Sequence, residues 1–117
     1  MNIDEIHTQF KEFKRLSEDG TIDVEERNRR LAECMASVEK CITTLSSLHV
    51  HVKKVYDETK VCLVKSLDEL KDDPYAKQVN DMIYDLDKRF ADLQAKHDRD
   101  MNLINHVKEK LEKIVAS

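Results

Sequence analysis

The sequence predicts an all-α protein. The expected arrangement is a short N-terminal helix packed on a long antiparallel helical hairpin, a three-helix bundle or coiled coil with the means to dimerise into a four-helix assembly. Three observations carry this reading. First, Val79, Ile83, Leu86, Phe90, Leu93, His97, Asp100, Ile104, Val107, Leu111 and Ile114 alternate steps of four and three, the heptad signature of a helix with one continuous seam. Second, the chain is 38% charged and holds one Gly, one Pro and no Trp in 117 residues, a composition suited to long helices rather than sheets. Third, Lys71-Asp72-Asp73-Pro74 is the clearest punctuation in the chain, and so short a connection implies adjacent antiparallel helices. Together these predict one elongated helical domain over 1–117, with helices at 3–18, 24–71 and 74–115.

The first helix rests on the stripe Ile3, Ile6, Phe10, Phe13 and Leu16. Asn2 or Asp4 can cap its start, and Asp19-Gly20 marks its end. A helix of this length is marginal alone, so it must dock, either within the chain or in a partner's groove.

Ser17 to Glu26 resembles the second half of an EF-hand calcium loop, with Gly20, Ile22 and Glu26 at matching positions. The other half fails, because the first ligand position falls on Arg15, a cation where calcium needs oxygen. A plainer reading serves better: Gly20 ends the first helix, Asp23 caps the second, and Glu26 completes a capping box.

From Val24 to Asp72 there is no Gly and no Pro. Leu31, Val38, Leu45, Val52 and Thr59 recur every seven residues, and Cys34, Cys41, Leu48, Val55 and Cys62 follow three residues after each. Met35, Ile42, His49, Tyr56, Leu63 and Leu70 widen the stripe. The weak stretch is Thr43-Thr44-Leu45-Ser46-Ser47, where poor helix formers cluster ahead of His49-Val50-His51-Val52. A bend there is one outcome; a full break, with the second half folding back as a fourth helix, is another.

In the last helix, Asp73 suits an N-cap and Pro74 the first helical position. A tight turn near residue 73 makes residue numbers at one level add to about 146, which places His49 beside His97 with Asp100 within a turn. The weak seam positions of the two helices thus meet in a polar layer that fixes register. The same groups could become a pH-sensitive interface or, less simply, supply ligands to zinc; structural zinc wants four close ligands, so no metal is expected.

Several functions are excluded or disfavoured. The net charge of −4 is well mixed, leaving no broad basic surface for nucleic acid. No apolar run could span a bilayer and no signal-peptide core is present, so a cytoplasmic or nuclear location is expected. Cys34, Cys41 and Cys62 read as reduced structural thiols, with an intermolecular bridge across a dimer as the alternative. There is no catalytic triad, no pair of general acids and no phosphate-cradling loop, so neither enzyme activity nor a cofactor is expected.

The functional reading comes from surplus apolar surface. The first helix can cover only the open end of the hairpin, where Ile6, Phe10, Phe13, Leu31, Cys34, Val38, Ile104, Val107, Leu111 and Ile114 make a three-helix core. The hairpin end carries Tyr56, Leu63, Leu67, Leu70, Tyr75, Val79, Met82, Ile83, Tyr84 and Leu86 with no third helix, which marks a protein-interaction site. The expected function is a non-catalytic coiled-coil interaction subunit, scaffold or adaptor, pairing with itself or with another helical subunit. The alternative is a regulatory binding module or small cochaperone that captures a globular partner.

Overall fold

A computed structural model describes residues 3–20 and 23–116. The fold is all-α, with three helices among the described residues: α1 at Ile3–Asp19, α2 at Val24–Leu70 and α3 at Ala76–Ala116. Each lies within two residues of its expected limits. The proposed Asn2 cap and the calcium-loop position Ile22 fall outside the described residues. The chain forms two compact units, Met1–Leu45 with Asp98–Ser117, and Ser46–His97.

The first unit holds all of α1, and its core is built from three helices. Ile6, Phe10 and Phe13 of α1 meet Leu31, Cys34, Val38 and Cys41 of α2 and Ile104, Val107 and Leu111 of α3, all buried. Nine of the ten expected core residues are there; Ile114 is half-buried against the cluster, and Cys41 joins it. The heptad pattern explains this, since residues seven apart return to the same face and a third helix closes the seam. Arg27 Nε donates to Ser17 Oγ at 3.1 Å, tying α1 to α2.

The helix ends follow their local chemistry. Gly20 closes α1 at φ +67°, the left-handed conformation that costs glycine little. Asp23 Oδ1 accepts from the Glu25 amide at 3.3 Å and caps α2. The expected capping box does not form, because Glu26 is taken by two arginines. Its carboxylate accepts from Arg29 and, at 2.9 Å, from Arg30. Those two guanidiniums, Arg29 first, hold the Glu26 carboxyl below the usual carboxylate range.

α2 is continuous through the weak stretch, so neither the break nor the folded-back fourth helix occurs. Thr43 Oγ1 returns its hydroxyl to the Glu39 carbonyl at 3.1 Å, so this side chain is satisfied without unwinding the helix. At the other end Lys71 takes φ +48°, and its amide reaches back to the Leu67 carbonyl at 3.1 Å, a left-handed cap made without glycine. Asp73 then caps the next helix through the Tyr75 amide at 2.9 Å. The first turn is tight, with the Ala76 amide on the Asp73 carbonyl, so regular α-helix begins at Ala76 rather than at Pro74.

Candidate protein-interaction surface

The second unit, Ser46–His97, consists of two helix segments and the turn between them, and no residue in it is buried. Its seam residues are only half-buried: Val52, Tyr56, Leu63, Leu67 and Leu70 on α2, and Val79, Ile83, Leu86 and Phe90 on α3. Two helices side by side shield only the strip between them, which leaves both flanks of a wide apolar stripe open to solvent.

The mid-level layer is a file of stacked rings. His49 and His97 lie face to face, with centroids 4.1 Å apart and planes 12° from parallel. His49 is followed by Phe90 at 6.4 Å, and Phe90 by Tyr56 at 4.1 Å and 10°. The expected pairing of His49 with His97 is therefore present, embedded in an aromatic column that runs toward the turn. Asp100, expected in the same layer, belongs to the first unit. Among the described residues, no group of three or more His, Cys, Asp or Glu side chains is placed to hold a metal ion.

One flank of the seam is closed by polar chemistry. The Tyr56 hydroxyl donates to Asp87 Oδ1, and Lys60 Nζ donates to the Tyr56 hydroxyl and to Asp87 Oδ2, each at 3.3 Å. Lys60 also lies 3.1 Å from Asp87 Oδ1 and sits over the Tyr56 ring. The Tyr56 hydroxyl, then Lys60, holds the Asp87 carboxyl below the usual range; Asp87, then Tyr56, raises Lys60. Both charged groups remain well exposed, so the network orients side chains more than it adds stability.

The ten residues expected to form an interaction surface divide accordingly. Tyr56 is engaged inside the unit by stacking and by its hydroxyl. Leu63, Leu67, Leu70, Val79, Ile83 and Leu86 are half-buried in or beside the seam. Tyr75, Met82 and Tyr84 are exposed. Exposed apolar residues of this unit absent from that expectation are Val50, Val61 and Val64, off the heptad columns, and, on them, Leu48 at 56%, Val55 at 47% and Leu93 at 50% of their free area. The heptad positions of the last three identified them as apolar, but not as uncovered.

A groove in the first unit is lined by Gln9, Glu12, Phe13, Arg29, Arg30, Glu33 and Cys34. Its arginines are spent on Glu26 and Glu33, and burial pushes the Cys34 thiol up, which keeps it protonated and poorly nucleophilic at neutral pH. Gln9 Oε1 is buried there without a protein hydrogen-bond partner. No nucleophile–base pair is assembled in it.

No helix among the described residues is long and apolar enough to cross a membrane. Comparison with protein-family models, with curated proteins and with solved structures finds no match to this chain. The functional reading therefore rests on the chain's own residues.

Proposed function

We propose that this chain is a non-catalytic helical interaction subunit, a scaffold or adaptor whose second unit is completed by another protein in the cytoplasm or nucleus. One observation carries the reading. The first unit buries ten apolar residues under three helices, whereas the second, built from the same heptad pattern, buries none and exposes Leu48, Val50, Val55, Val61, Val64, Tyr75, Met82, Tyr84 and Leu93. That much apolar side chain left open to solvent on a helical hairpin marks a surface made for a protein partner. The polar layer of His49 and His97 then sets register, because a slip of either helix would separate the two rings.

The test is site-directed photo-crosslinking in cells, with the photoreactive residue at Met82 or, as a control, at Glu39 in the first unit. A discrete protein adduct is expected from position 82 and none from position 39. If position 82 gives no adduct, or both positions give the same diffuse labelling, the reading is wrong.

A further inference from the structure

The two flanks of the second unit are not equivalent, and the difference selects a docking face. Lys60, four residues after the seam position Tyr56, and Asp87, four after Ile83, meet on one flank. In an antiparallel pair the opposite flank then belongs to residues one before the seam, which are the basic Arg89 and Lys96 on α3 and three apolar side chains, Val55 and Cys62 on α2 and Met82 on α3. All three apolar side chains are exposed, as are Leu48 and Tyr75 in the same two columns. Leu93, at a seam position, is also half open to solvent.

The α2 column reveals what such a flank accepts. Cys34, Cys41, Leu48, Val55 and Cys62 recur every seven residues along one uninterrupted helix. In the first unit Cys34 and Cys41 are buried in the cluster to which α1 contributes. In the second unit the column carries the same kind of side chain and nothing covers it. Where this column lies in the first unit it packs in a cluster with an amphipathic helix, and the same side-chain chemistry in the second unit suits the same kind of occupant.

We propose that this flank of the second unit is an isologous interface, occupied by the same flank of a second copy of the chain. The proposal rests on the reading above and names its partner. Two features favour self-association. About 25 residues of α2 span roughly 37 Å, and two helices side by side are roughly 20 Å across, so the footprint approaches the ~800 Å² per partner of a stable interface. The face also carries both signs, Arg89 in the α3 column with Asp85 beside it, and Glu58 and Lys65 beside the α2 column. A face that must meet itself needs that balance, since a margin of one sign would repel its own copy.

Light scattering behind a sizing column, across a concentration series, tests the proposal. The expected mass is about 27 kDa, twice the 13.7 kDa of one chain. Val55→Glu and Leu93→Glu should each halve the mass, while Val61→Glu, exposed on the far side of α2, should leave it unchanged. Circular dichroism confirms that each variant keeps its helices; if a glutamate variant does not, Leu48→Ser reads the same flank more gently. A wild-type chain that stays at 13.7 kDa throughout overturns the proposal, as does loss of the dimer on Val61→Glu. The crosslinked species from Met82 separates the two levels. An adduct of twice the chain mass supports self-pairing, whereas an adduct of another mass overturns self-pairing and leaves the interaction reading intact. No adduct removes both.

Discussion

Leu111→Ala and Leu93→Ala remove the same three carbon atoms from seam positions of α3, yet the two losses should differ several-fold. Leu111 is fully buried in the three-helix cluster. Removing three methylene-sized groups forfeits about 2.4 kcal/mol of transfer free energy at ~0.8 kcal/mol each, and the walls of a close-packed core cannot fully collapse onto the gap. A total of about 3–4 kcal/mol follows, within the range for buried Leu→Ala. For a chain of this size that lowers Tm by roughly 12–16 °C. Leu93 is 50% exposed, so only about half the transfer free energy is at stake and no closed cavity forms, giving about 1 kcal/mol. Urea unfolding followed by circular dichroism, at a chain concentration low enough that assembly adds nothing, measures both. The m-value should stay constant. Equal costs for the two variants would falsify the assignment of one packed and one uncovered unit, as would a Leu111→Ala cost below about 1 kcal/mol.

The remaining predictions are local. Asp73→Ala removes the side-chain oxygen that caps the Tyr75 amide and should cost about 1 kcal/mol in the same urea assay. Lys71→Gly relieves a non-glycine residue at φ +48° and should stabilise by about 0.5–1 kcal/mol after the greater entropy of the unfolded glycine is counted. Asp87, whose carboxyl is depressed in the fold by Tyr56 and Lys60, favours folding above the ordinary carboxylate pKa of about 4, and that contribution fades as pH falls below it. Asp87→Asn should flatten that part of the acid limb when urea midpoints are compared between about pH 7 and pH 2.5. Of the three thiols, Cys62 is exposed and should react quickly with an aromatic disulfide reagent in dilute chain. Cys34 and Cys41, buried and with thiols pushed up by burial, should react only on unfolding.

Much of this fold is legible in the sequence because helical coiled coils write their core as a period. Ile104, Val107 and Leu111 alternate steps of three and four, and all three are buried. Asp73-Pro74 punctuates the hairpin, and the pairing of His49 with His97 follows from turn position alone. The same counting pairs Tyr56 with Phe90 and Lys60 with Asp87, so the ring file and the polar flank were within reach of that rule. What escaped it were choices among competing partners. Glu26 has a backbone amide and two arginines within range, and spacing does not say which it takes. The Thr43–Ser47 stretch reads as weak by propensity, but Thr43 finds an acceptor four residues back. Lys71 adopts a glycine-like conformation that nothing in its identity advertises.

The column from Cys34 to Cys62 marks the limit of such reading. Its five members are alike in spacing and in apolar character, yet two are buried and three are exposed. Periodicity reports that a face wants covering; it does not report what covers it. In the first unit α1 supplies the answer within the chain. In the second unit the Tyr56–Lys60–Asp87 network narrows it, because an approach from that flank would have to desolvate a carboxylate and an ammonium that already satisfy one another. The opposite flank presents Val55, Cys62 and Met82, and the cations in its α3 column, Arg89 and Lys96, have long stems that let the apolar area be covered while the charged ends stay in water. The polar flank thereby acts as a directional device. It leaves the opposite face of the hairpin as the one on which a helix can be buried without breaking an ion pair that the fold already makes.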